Sequence, residues 1–198
     1  MTTPTLPTRE PNAILDPTGR TSVLAGAPAP AGTDRPAGQL APRRPDLTGL
    51  RVGLLENTKH NAALLLDEIG ALLEAEHGVR VTRRATKQVF AMPVSDEVVT
   101  EFAGDCDLVI TAVGDCGSCS ASAVADGIRF EQAGLPAAVI CSEAFVATAD
   151  AMAELRGAPG YRYARTAHPV AVLSPQQVAE RAKHLLPDVV GLLAGERA

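Results

Sequence analysis

Residues 108–120 read LVITAVGDCGSCS, an apolar run that breaks into a glycine-rich turn carrying two cysteines. The run Leu108 to Val113 is too short for a helix and almost wholly apolar, as a central strand of a parallel sheet must be. From Cys119 to Ala133 the apolar residues recur at helical spacing, and Gly134 ends the pattern. Cys116 and Cys119 therefore fall where a buried strand turns into a helix. Unpaired N–H groups at a helix start favour a thiolate. A Cys-x-x-Cys there lets the two sulfurs meet across the first turn. Cys116 is then read as the nucleophile and Cys119 as the thiol that resolves its adduct.

Working outward, the same strand–helix alternation repeats. Leu50 to Leu55 is a short apolar strand, followed by the polar loop Glu56-Asn57-Thr58-Lys59. Ala62, Leu65, Leu66, Ile69, Leu72 and Leu73 mark a helix that Asn57 or Thr58 caps and Gly78 ends. Residues 79–83 alternate and form a less buried second strand. Residues 95–103 open with Ser95, Asp96 and Glu97 and read as a short helix. Residues 135–141 are a fourth strand, and Ser142-Glu143 starts a helix to about Leu155. Residues 162–172 are irregular, with room for a short fifth strand. Ser174-Pro175 opens a last helix that Pro187 interrupts or kinks. The alternation predicts an α/β fold, a Rossmann-like (flavodoxin-like) doubly wound parallel sheet of about four to five strands. With strand order 2-1-3-4, ligands bind between strands one and three, at the carboxyl ends of the strands. The loops Glu56–Lys59, Gly114–Cys119 and Cys141–Glu143 all lie on that rim.

Residues 1–47 hold nine of the fifteen prolines and show no apolar periodicity, so they read as a partly extended or disordered extension. The α/β domain is accordingly placed at 48–198. The island Ile14-Leu-Asp-Pro-Thr-Gly19 can dock on the body or on a neighbouring subunit. The net charge of −5 without a basic stripe argues against nucleic acid. No apolar run reaches the ~20 residues of a membrane span, and the N-terminus lacks the basic and apolar regions of a secretion signal. The expected location is the cytoplasm, with the cysteines reduced or catalytic rather than forming a disulfide scaffold.

The rim supplies the other candidates. Lys59 can stabilise a thiolate or an anionic substrate, and Asn57 can donate to an oxyanion. Gly114, Gly117, Ser118 and Ser120 complete the substrate-contacting set, the glycines permitting the tight turn. Asp115, Glu143 and His168 are candidate proton carriers. Cys141 ends an apolar strand and is expected to be packed, and Cys106 lies off the rim. No cofactor is expected; an external thiol reductant would recycle a disulfide. Zinc held by Cys116, Cys119, Cys141 and His168 is the metal alternative. The expected partner is a small, anionic substrate, with a homo-oligomer or second subunit completing the rim.

Gly114-Asp-Cys-Gly-Ser-Cys119 resembles the signature of the UGSC family, named for Sec-Gly-Ser-Cys with cysteine first in some members. The likeness extends to residues 14–19, to Gly53-Leu-Leu-Glu-Asn-Thr-Lys59 and to His168-Pro169. Members often carry Asp at position 56 and Pro at position 60. More distantly, Cys116–Cys119, Gly134-Leu-Pro136 and His168-Pro169 are similar to the selenoprotein B component of glycine reductase. That resemblance implies reductive cleavage, with Cys116 at the selenocysteine position and Cys119 resolving. A third, fainter likeness joins Cys119-Ser-Ala-Ser-Ala123 to the aspartate/glutamate racemase and arylmalonate decarboxylase group. It implies cofactor-independent cysteine acid–base or addition–elimination chemistry. A non-catalytic or metal-binding subunit is the alternative from outside enzymology.

Overall fold

The computed structural model describes residues 39–195; the island at 14–19 lies outside them. Five strands, β1 (Arg51–Glu56), β2 (Arg80–Thr86), β3 (Leu108–Gly114), β4 (Ala137–Ser142) and β5 (Ala164–Thr166), form one parallel sheet in the order 2-1-3-4-5. Every residue of β3 and β4 is buried, as strands covered on both faces must be. Helices α1 (Ala62–His77) and α5 (Pro175–Leu193) pack on one face of the sheet. Helices α2 (Asp96–Asp105), α3 (Gly117–Gln132) and α4 (Val146–Leu155) cover the other. This is the Rossmann/flavodoxin-like arrangement read from the sequence.

Helix starts and stops follow local chemistry for the most part. Gly78 ends α1 in the left-handed conformation, with φ 63°. Ser174 caps α5 in a reciprocal capping box with Gln177, and Pro175 takes the first helical position. Pro187 does not interrupt α5, which continues to Leu193. Residue 187 is on the exposed side, and so is Lys183, whose carbonyl loses its usual partner to solvent rather than to the core.

One expectation is corrected. Neither Asn57 nor Thr58 caps α1; the position belongs to Asn61 in the left-handed region, whose side-chain amide instead donates to Val170 O and Leu173 O at 3.0 and 2.9 Å. Residues just before 48 pack on the α/β body. Ala41 and Leu47 are buried, and the Ala41 amide donates to Glu131 at 2.7 Å. The Arg43 guanidinium grips the same buried carboxylate with two nitrogens, at 2.5 and 2.8 Å. Proline content predicted an extended lead here. An ion pair to α3 fixes its last residues in place.

Candidate active site at the carboxyl rim of the sheet

The end of β3 is shaped by a side chain from β1's loop. β1 pairs with β3 only as far as Glu56 opposite Ala112. Asn57, almost fully buried, then continues the ladder with its amide: Nδ2 donates to Val113 O at 2.9 Å and Oδ1 accepts from Val113 N at 3.1 Å. A buried backbone pair that would otherwise lack partners is thereby satisfied. The Asn57 amide, read from the sequence as an oxyanion donor, is engaged by the Val113 backbone. Gly114 is also structural. A Cβ there would lie 2.6 Å from Cys141 Sγ and 2.7 Å from Ser120 Oγ, so no side chain fits between β3, β4 and α3. Ser120 is fully buried and its hydroxyl donates to Cys116 O at 2.9 Å. Gly117 meets nothing closer than Thr148 Oγ1 at 3.9 Å, so steric crowding does not require glycine there.

This packing places Cys116 at the N-cap of α3. Its Sγ accepts from the Cys119 amide at 3.3 Å and lies 2.6 Å from Cys119 Sγ in a thiol–thiol hydrogen bond. Ser118 Oγ stands 3.6 Å from the same sulfur. Both cysteines are free thiols, Cys116 half-buried and Cys119 fully buried. Burial disfavours the Cys116 thiolate, but hydrogen bonds from Cys119 and Ser118, the Cys119 amide and the charge of Lys59 outweigh it. The thiol therefore ionises below its ordinary value. Cys119 goes the other way: burial, its hydrogen bond with Cys116 and the neighbouring negative sulfur push it up to about 12. One sulfur is prepared to ionise and the other to remain protonated against it.

Beside Cys116, Asp115 is a buried hub. Its carboxylate accepts from the Ser142 hydroxyl, His168 Nδ1 at 3.0 Å, and the amides of Val170 and Ala171 at 3.0 and 3.1 Å. Burial opposes ionisation, yet these donors prevail and hold the carboxyl below its ordinary range. The sequence reads Asp115 as a candidate proton carrier; the structure surrounds its carboxylate with donors from Ser142, His168, Val170 and Ala171. With Nδ1 donating to Asp115, Nε2 is the ring nitrogen left for proton exchange. The Phe145 ring packs edge-on to that imidazole at 5.2 Å between centroids.

The structure thus gathers Cys116, Cys119, Ser118, Asp115 and His168, with Lys59 acting through its charge. Glu143 is exposed at the start of a 3₁₀ turn, Glu143–Phe145, and among the described residues no hydrogen bond ties it to the thiols. Cys141 is buried, and that burial pushes it up to about 12. Cys106 is buried beside Thr82 near the opposite, amino end of β3. Among the described residues, no group of three or more His, Cys, Asp or Glu side chains is arranged to hold a metal ion. The four zinc candidates form no such group, and Cys141 is packed against the Gly114 backbone.

Sequence reasoning missed Ser142, whose hydroxyl holds Asp115, and the buried Lys87–Asp126 ion pair, which also involves Ser122 Oγ and the Val94 amide. A signal existed for the second. Ser122 and Asp126 are four residues apart on a helix whose flanking positions are apolar, so both face the core. Among the described residues no helix is long and apolar enough to cross a membrane.

No curated protein matches the chain. The UGSC family pattern matches residues 13–195, which takes in all five strands and both cysteines. On that match the chain belongs to the UGSC family.

Proposed function

We propose that the protein is a thiol-dependent enzyme acting on a small anionic molecule, with Cys116 as nucleophile and Cys119 as resolving thiol. The observation that carries this is the geometry of the pair: the Cys116 sulfur caps α3, accepting from the Cys119 amide at 3.3 Å, beside the fully buried Cys119 sulfur. In the oxidoreductase form, the Cys116 thiolate displaces a leaving group X from substrate R–X, and X departs with the bonding electrons. Cys119 sulfur then attacks Cys116 sulfur as its thiol proton passes to His168. R leaves with the S–R electron pair and takes that proton from His168, giving R–H. The two thiols are oxidised to a disulfide as R–X is reduced by two electrons, and an external dithiol restores them. The two sulfurs adjoin across the first turn of α3, as a disulfide between them requires. Lys59 attracts the anionic group.

The Asp115–His168 pair favours a second reading, acid–base or addition–elimination chemistry without net redox, in which Cys116 and His168 exchange a proton with the substrate. Turnover separates the two. A panel of carboxylates bearing a leaving group on the α-carbon is assayed with and without dithiothreitol. Under the redox reading, wild type makes one disulfide per R–H without reductant. Cys119→Ser stalls after one equivalent, with the adduct on Cys116 seen by intact mass. Undiminished turnover by Cys119→Ser without reductant would replace the redox reading by the second.

A further inference from the structure

His168 is carried by the connection from β5 to α5, which beyond Thr166 holds neither helix nor strand. Connections of this kind are the mobile parts of an α/β fold unless something ties them down. Here three side chains from distant elements do so. Asp115, just past β3, takes the His168 ring through Nδ1 at 3.0 Å and the amides of Val170 and Ala171 at 3.0 and 3.1 Å. Asn61, at the start of α1, donates from its amide nitrogen to Val170 O at 3.0 Å and Leu173 O at 2.9 Å. Arg181, inside α5, donates from Nη1 to Thr166 Oγ1 at 2.8 Å and to Ala167 O at 2.5 Å. Arg181 thus holds the chain before His168, and Asn61 holds it after.

The helix to which Asn61 belongs does not account for its side chain. Asn61 occupies the N-cap position of α1, where an asparagine side chain ordinarily accepts from a free amide of the first turn. It makes no such bond. Its φ is 66°, a left-handed conformation that asparagine adopts more readily than most residues, and its amide serves residues 170 and 173 instead. Arg181 is half-buried, and its charged donor bonds neutral oxygens at the end of β5, contacts stronger than those between neutral groups. The His168 side chain is 37 % exposed, so core packing does not immobilise the ring. Asp115 fixes the acceptor end of the Nδ1 contact. The donor end depends on where the backbone at 167–170 stands, and that backbone is what Asn61 and Arg181 hold.

We propose that Asn61 and Arg181 are positioning residues: by clamping residues 166–173 from α1 and α5, they keep the His168 ring on Asp115 through Nδ1 and leave Nε2 free at the rim. A ring held in this way stays in one tautomer, the state a proton carrier needs before its substrate arrives. That His168 moves protons rests on the function proposed above. That Asn61 and Arg181 orient its ring rests on the contacts themselves.

The test is nitrogen NMR of the His168 ring in the reduced full-length protein, at a pH alkaline enough for the ring to be neutral. Three proteins are compared: wild type, Asn61→Gly and Arg181→Leu. Glycine keeps a φ of 66° without strain and lacks the amide, so α1 retains its start. Leucine preserves helix propensity at a half-buried position, so α5 is retained. Wild type shows the Nδ1–H tautomer alone. In each variant the ratio of Nδ1–H to Nε2–H falls by roughly fivefold or more, the factor that one displaced hydrogen bond represents. The tautomer is a property of the folded protein, so a contribution to stability alone would lower Tm without moving it. A wild-type ring in the Nε2–H form or in a mixture overturns the inference. A ring unchanged in either variant removes that residue from the clamp. A ring that shifts as expected in a protein whose Cys116 proves unreactive keeps the clamp and removes the proposed function instead.

Discussion

Replacing Asp115 by Asn tests whether a fixed anion organises the rim. The wild-type carboxylate accepts from Ser142, His168, Val170 and Ala171. Asparagine keeps one acceptor oxygen and turns the other into an NH₂ group that faces donors. At least two bonds to a charged acceptor are lost, each worth about 1.5–3 kcal/mol, and partial relaxation brings the net cost to about 3–5 kcal/mol. For a chain of this size each kcal/mol lowers Tm by about 2–4 °C, so the fall expected at pH 7 is roughly 6–20 °C. The pH dependence fixes the cause. The folded-state pKa of Asp115 is depressed, so its contribution is fully present above the unfolded value of about 3.9 and is lost as pH falls through the folded value. Thermal unfolding of both proteins between pH 7 and pH 3 should therefore show the gap narrowing in acid. A gap below about 4 °C at pH 7, or one that widens in acid, refutes this reasoning.

Other perturbations have equally definite outcomes. Arg43→Ala leaves the buried Glu131 carboxylate without its cation and should cost about 3–5 kcal/mol in denaturant unfolding at neutral pH. Burial already pushes Glu131 up, so the loss should shrink as pH falls and the carboxyl protonates. Gly127→Ala places a Cβ 2.3 Å from Val139 Cγ2 and 2.6 Å from the buried Tyr161 hydroxyl, an overpacking worth about 1–3 kcal/mol by the same measurement. Cys119→Ala removes the side-chain partner of the Cys116 sulfur. The pH midpoint for alkylation of Cys116 should rise by about one unit, since one unit corresponds to about 1.4 kcal/mol.

The fold was legible because its cues are local. The unbroken apolar run of β3, the helical spacing from Ala62 to Leu73, and Ser174-Pro175 each needed only neighbouring residues to be read. The cysteine pair was legible for the same reason, since strand, turn and helix adjoin in sequence. What remained hidden was the choice of distant partners. Asn57 looked like a helix cap because nothing in its own loop shows that β1 runs out of ladder at Ala112. The partners of Asp115 were hidden because Ser142 and His168 approach it only once β4 and β5 are laid beside β3. Arg43 sat in a proline-rich segment whose composition concealed a single strong tie to α3. Tertiary pairing, rather than propensity, decided all three.

The central claim is the division of labour between the two sulfurs. Iodoacetamide labelling of the reduced protein across pH, read cysteine by cysteine by mass spectrometry, tests it directly. Cys116 should label with a midpoint below the ordinary thiol value of about 8.5, while Cys119, pushed up to about 12, stays unlabelled until far higher pH. A Cys116 midpoint at or above the ordinary value, or labelling of Cys119 before Cys116, would contradict the assignment of nucleophile and resolving thiol.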